Sequence, residues 1–99
     1  MDNKAKIGNG TDVAIEWVDV ESSSLSKIAY DEPSGVFAVR FTNGGLYGYD
    51  GVPRDIFDQM PHVPSVGRYF NMMVKVGHSC VKFADEAELA EYIEARRSA

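Results

Sequence analysis

The sequence reads as an α+β domain, an antiparallel meander of about four strands with two or three helices packed on one face. Three observations lead there. Asn43-Gly44 stands between alternating apolar runs, the strongest short-range hairpin signal a sequence carries. Strand-like alternation fills the first half of the chain and gives way after Pro53 to apolar residues spaced three and four apart. The chain has 99 residues, enough for one domain with one substantial core.

Residues 1–12 are polar, include Gly8-Asn9-Gly10, and are expected to form a flexible N-terminal arm, leaving 13–99 as the domain. Val13, Ile15 and Trp17 alternate with polar or small residues, which predicts a strand over Val13–Val20. Ser22-Ser23-Ser24 interrupts it, because serine hydroxyls bond the local backbone and favour a turn or bulge. Leu25–Tyr30 resumes as a strand, and Asp31-Glu32-Pro33-Ser34-Gly35 is dense turn chemistry. In the next strand, Phe37, Val39 and Phe41 line one face and Ala38, Arg40 and Thr42 the other; Gly45–Asp50 returns from the turn.

Pro53 suits a first helical turn, where its missing N–H leaves nothing unpaired. Ile56, Phe57 and Met60 give that helix its apolar stripe, and Pro61 and Pro64 bound it. Ser65 can cap a second helix whose inward stripe is Val66, Tyr69, Phe70 and Met73, with Met72 off the stripe and exposed. Gly77 ends it, and Cys80–Phe83 reads as a short strand. Asp85 and Glu88 form a capping box for an acidic helix over 85–97, with Leu89, Tyr92, Ile93 and Arg96 inward and Glu88, Glu91 and Glu94 toward solvent.

Composition narrows the function classes. The hydrophobic fraction of 44% and charged fraction of 25% are ordinary for a globular domain. Cys80 is alone, so no intramolecular disulfide can form and a reducing compartment is expected. The first residues hold no apolar run of a secretory signal, and no stretch approaches the ~18 apolar residues of a membrane span, so a cytoplasmic protein without a membrane partner is expected. The net charge of −5 disfavours non-specific nucleic-acid binding. The charge is uneven: 59–84 holds no Asp or Glu but carries Arg68, Lys75 and Lys82, whereas 85–99 holds five acids and two arginines.

An ordered set of segments resembles a known family. Val20-Glu21-Ser22-Ser23-Ser24-Leu25, Ile28-Ala29-Tyr30-Asp31, Val39-Arg40-Phe41 with Asn43-Gly44, Tyr47-Gly48-Tyr49, Gly51-Val52-Pro53 and Ser65-Val66-Gly67-Arg68-Tyr69-Phe70-Asn71 resemble the KTSC domain. That domain is named for its place at the C-terminus of some lysyl-tRNA synthetases and also occurs as a stand-alone small protein. The similarity runs from about Val20 to Lys75, and its synthetase context implies RNA binding. The chain departs from the family at its ends, with an added N-terminal strand through Trp17 and the acidic helix after Phe83.

Tyr47 and Tyr49 share one strand face, and the hairpin register decides which. A two-residue Asn43-Gly44 loop sets Arg40 opposite Tyr47, where it could make a cation–π contact, and turns both tyrosines away from Phe37, Val39 and Phe41. A three-residue loop with a glycine bulge, which Gly45 would ease, brings them onto the phenylalanine face. Arg40, Tyr47, Tyr49, Arg68, Asn71 and Lys75 are the candidate binding residues for a partner or nucleic acid, and Glu88, Glu91 and Glu94 the candidate partner-binding edge of the acidic helix.

His78-Ser79-Cys80 could place His and Cys on one strand side, but no orienting acid stands near them in sequence. His62, His78 and Cys80 lack the paired spacings of a zinc site. No catalytic residues, metal or cofactor are therefore expected. The expected function is a small non-catalytic binding protein acting on a protein partner, a phage-type inhibitor of a host defence complex being one version suggested by size and charge. The alternative is a nucleic-acid-binding module using the aromatic strand face and the basic segment.

Overall fold

The computed structural model describes residues 13–98. Its centre is a five-stranded antiparallel meander in sequence order: β1 (Val18–Asp19), β2 (Leu25–Asp31), β3 (Val36–Phe41), β4 (Leu46–Tyr49) and β5 (Cys80–Phe83). Between β4 and β5 lie α1 (Arg54–Gln59), a 3-10 turn (Met60–His62), and α2 (Val66–Phe70) continued by a π-helical turn (Asn71–Lys75); α3 (Glu86–Ser98) follows β5. The α+β class is as expected, with one strand more than the four anticipated because Cys80–Phe83 pairs with β4. The expected arm over 1–12 lies outside the described residues.

The helices do not share one face, as the sequence suggested. α1 and α2 cover one face, where Ile56, Met60, Val66, Phe70 and Val74 join Leu25, Ile28, Phe37, Val39 and Tyr49 in one buried cluster. α3 covers the other, where Leu89 and Ile93 pack with Ala29, Val36, Ala38, Leu46 and Phe83. Strand alternation makes both clusters possible. In β3 each of Val36, Phe37, Ala38 and Val39 is buried, as expected of a central strand covered on both sides. The α3 face is lined by small residues, which permit close approach. A Cβ built on Gly48 would come 3.0 Å from the Phe83 ring, so only glycine leaves that ring its place.

The segment expected as a strand over Val13–Val20 pairs only at Val18–Asp19. Its alternation is real: Val13, Ile15 and Trp17 pack against the α3-side cluster while Ala14 and Glu16 are exposed. The sequence period thus reported a one-sided extended segment, and sheet pairing was not part of that signal. Ser22 behaves as its chemistry predicts, its Oγ accepting from Ser24 N and Leu25 N at 3.2 Å each. The bulge falls later, at Ser26, between the pairs Leu25–Phe41 and Lys27–Arg40. It lets Leu25 and Ile28, three apart, face the same cluster.

The hairpin closes with three residues, Thr42-Asn43-Gly44. Phe41 N donates to Gly45 O and Gly44 N to Phe41 O, both at 2.9 Å. The glycine bulge sits at Gly44, with φ +95°, rather than at Gly45. β3 and β4 then pair Phe37 with Tyr49, Val39 with Tyr47 and Arg40 with Leu46.

Polar contacts fasten α3. Asp85 Oδ1 accepts from Glu88 N at 3.0 Å, the N-cap half of the expected capping box, and Glu88 Oε1 accepts from Ala84 N at 2.8 Å, one residue before the N-cap N–H of the standard motif. At the other end, Asp50 accepts from Arg96 Nε at 2.8 Å, Arg96 Nη2 at 3.0 Å and the Tyr92 hydroxyl at 2.6 Å. Arg97 makes a two-pronged pair with Asp31, whose Oδ2 also accepts from Ser34 Oγ at 2.7 Å. Burial pushes the Asp31 carboxyl up, but the hydrogen bonds from Arg97 and Ser34 more than offset it and hold it below the usual carboxylate range.

Two outcomes are expected. Gly44→Ala should lower stability by about 1 kcal/mol in urea unfolding, although nothing lies within 4 Å of the added Cβ, because the positive φ alone opposes an L side chain. The Asp31 contribution has a definite sign. Its folded-state pKa lies below the unfolded value, so the stabilisation is present at neutral pH and is lost as pH falls through the folded-state pKa. Thermal melts from neutral to acid pH should therefore fall more steeply for the parent chain than for Asp31→Asn.

Candidate functional site

The hairpin register decides the tyrosine question. Tyr49 is 4% exposed, in edge contact with Phe70 at 5.4 Å between ring centroids. Burying a side chain of this size contributes roughly 1.5–3 kcal/mol, a sufficient reason for its presence. Burial, with Cys80 beside it, pushes its phenol up to about 12. Tyr47 is half-buried at the margin of the same cluster, edge-on to Phe41 at 5.5 Å. The pair is core and core margin, not an open stacking platform.

Arg40 is also elsewhere. It lies on the α3 side of the sheet, 6.0 Å from the Trp17 ring centroid, bonded to Gly44 O at 3.1 Å and paired with Glu86 at 3.4 Å. The anticipated Arg40–Tyr47 contact belongs to the two-residue loop and does not form. Lys82, facing Tyr47 across β4 and β5, takes that place at 6.0 Å from the ring.

Arg68, Asn71 and Lys75 lie on one continuous helical segment. Ser65 caps α2, its Oγ accepting from Arg68 N at 3.4 Å, and all three side chains are exposed on the α2–π helical segment. The π turn alters which apolar residues accompany them. One wider turn advances the helical phase by a residue, so Val74 is fully buried where Met73 was expected, and Met73 is 38% exposed. Met72 and Val76 are 64% and 72% exposed, so the outer face of this segment is more apolar than the α-helical period predicts. Beside it, Val63, Pro64, Ser65, Arg68, Tyr69 and Met72 line an open groove of about 360 Å³. Met72 and Arg68 were legible as candidates; Val63 and Pro64 were not, since they read only as a helix boundary.

The cations sort into two groups among the described residues. Lys27 pairs with Asp19, Arg40 with Glu86, Arg54 with Glu32 and Asp58, Arg96 with Asp50 and Arg97 with Asp31. Arg68, Lys75 and Lys82 have no carboxylate partner, and they are the cations of the acid-free segment 59–84. Lys82 shares the strand face of Tyr47, so all three lie on the α2 side of the sheet.

The acidic helix is less available than its sequence suggested. Glu88 is committed to the helix cap. Glu91 and Glu94 are exposed, as expected of its solvent face. His78 and Cys80 do not form a couple: His78 Nδ1 lies 3.1 Å from Asp50 O, and Cys80 is exposed on the edge strand. Among the described residues, no cluster of His, Cys, Asp or Glu has the makings of a metal site.

A five-stranded meander with helices on both faces and an open groove beside α2 define a small α+β domain. The KTSC domain family model matches residues 21–76, and the chain belongs to that family. A KTSC domain protein from Yersinia pestis has a crystal structure similar to this fold, with a TM-score of 0.67 and 30% identity over 72% of this chain and 100% of that one. An uncharacterised protein of Stutzerimonas stutzeri is 36% identical over 61 residues, 62% of this chain and 86% of its own length. A protein of Tsukamurella paurometabola is 41% identical over 56 residues, 57% and 84% respectively. A lysine–tRNA ligase of Nostoc punctiforme is 25% identical over 63 residues, 64% of this chain but 11% of the ligase. β1, β5 and α3 lie outside the segment the family model matches.

The π-turn phase has a direct check. Val74→Ala should cost about 1–3 kcal/mol in chemical unfolding and Met73→Ala within about 0.5 kcal/mol of nothing. The reverse order, with Met73→Ala the costlier change, would mean that the helix runs in ordinary α phase.

Proposed function

We propose that this protein is a non-catalytic protein-binding module that works by occupying a partner's surface through its α2–π face. The observation that carries the reading is the pair Met72, on the π turn, and Val76, the residue that follows it, two large apolar side chains held mostly in solvent. Large apolar side chains exposed near an open groove, which Met72 itself lines, are what interaction sites present. Methionine suits the role because its flexible thioether adapts to varied partners. Blocking a host defence complex is the concrete version that the size and acidity of the chain suggest.

Nucleic-acid binding has its own support in Arg68, Lys75 and Lys82, which have no carboxylate partner among the described residues, and in the partial similarity to a lysine–tRNA ligase. Two features weigh against it. The tyrosines that would stack on bases are buried or edge-on, and the overall charge of −5 opposes phosphate.

The test is a crosslinking pull-down with the parent chain and with Met72→Asp plus Val76→Asp, read by quantitative mass spectrometry. Both positions are exposed, so the melting temperature should stay within a few degrees. Specific partners should be recovered by the parent chain and lost from the double variant. Equal recovery by the two chains would remove this face from the function.

A further inference from the structure

We infer that the groove between the Val63-Pro64 turn and α2 takes an acidic peptide segment of a partner protein, with one large apolar side chain seated in the groove and carboxylates meeting Arg68 and Lys75; this rests on the binding-module reading and names its ligand. Three observations fit one ligand. The groove, about 360 Å³, sits at the small end of the ~300–1,000 Å³ of ligand pockets, a size for an anchor side chain rather than a whole cofactor. Its walls are Val63, Pro64, Tyr69 and Met72, which would desolvate such an anchor.

The third observation is electrostatic. Each cation of the paired group has its carboxylate within 4.0 Å, while Arg68, at the groove, and Lys75, about two helical turns further on, have none among the described residues. The segment 59–84 contains no acid that could neutralise them. Arg68 in the groove lining and Lys75 further along the same segment, neither paired with a carboxylate among the described residues, place free positive charge beside an apolar groove on a negative molecule. That combination selects a ligand that is anionic and apolar together. A nucleic acid supplies the charge without an aliphatic anchor, and a neutral apolar segment leaves the two cations unused.

The experiment selects a random dodecapeptide library on the immobilised full-length protein, then measures the enriched peptides by fluorescence anisotropy at low and high salt. The expected sequences combine Asp or Glu with a Leu, Ile, Met or Phe anchor. Arg68→Glu should weaken them about tenfold or more, Lys75→Glu should weaken them in the same direction, and added salt should do likewise. Anchor-to-Ser peptides should also bind at least about tenfold more weakly. Enrichment of basic or uncharged peptides, no enrichment, or affinity unchanged in Arg68→Glu would each overturn the inference. So would displacement of the peptide by a random-sequence single-stranded RNA that itself binds more tightly. If the inference fails while Met72→Asp plus Val76→Asp still abolishes partner recovery, the ligand chemistry is wrong and the binding-module reading stands; loss of both results rejects both.

Discussion

The three-residue hairpin loop is the constraint on which the rest of the structure depends. Phe41 N to Gly45 O closes it, and Gly44 at φ +95° makes that closure accessible. Side chains alternate with period two, so the loop length assigns every residue of β4 to a face. With three residues in the loop, Tyr47 and Tyr49 join Phe37, Val39 and Phe41 beneath α1 and α2. Leu46 and Gly48 then turn to the other side, where Gly48 admits the Phe83 ring and α3 closes over it. A loop one residue shorter would turn both tyrosines toward α3, where the Phe83 ring now lies against Gly48.

The two faces serve different ends. On the α3 face, polar groups are largely consumed: Glu86 engages Trp17 and Arg40, Asp50 engages Tyr92 and Arg96, and Asp31 engages Arg97. On the α2 face the charges are left over, and the π turn brings apolar side chains out beside them. The turn buries Val74 where the α period would have buried Met73. One wider helical turn thus fills the core and leaves a more apolar outer surface.

Much of the fold was legible because its signals are local. Asn43-Gly44 announced the hairpin, Ser65 and Asp85 announced helix starts, and both caps form as their chemistry requires. The site was half legible. Arg68, Asn71 and Lys75 are each exposed on the α2–π segment, as their place outside the apolar stripe suggested. Arg40, Tyr47 and Tyr49 did not join them, because their directions depend on a pairing register set by a single loop residue.

By itself, the sequence determined the class of fold, the order of strands and helices, the caps and the uneven charge, since each rests on neighbours along the chain. Only the tertiary structure decided which face the tyrosines and α3 occupy, that Met73 joins Met72 in solvent, and which cations among the described residues lack a carboxylate partner. Those outcomes depend on a register, where a shift of one residue reverses a side chain, on a helical phase, where it turns one by about 100°, and on carboxylates such as Asp31 and Asp50 that reach their arginines across 66 and 46 positions of sequence.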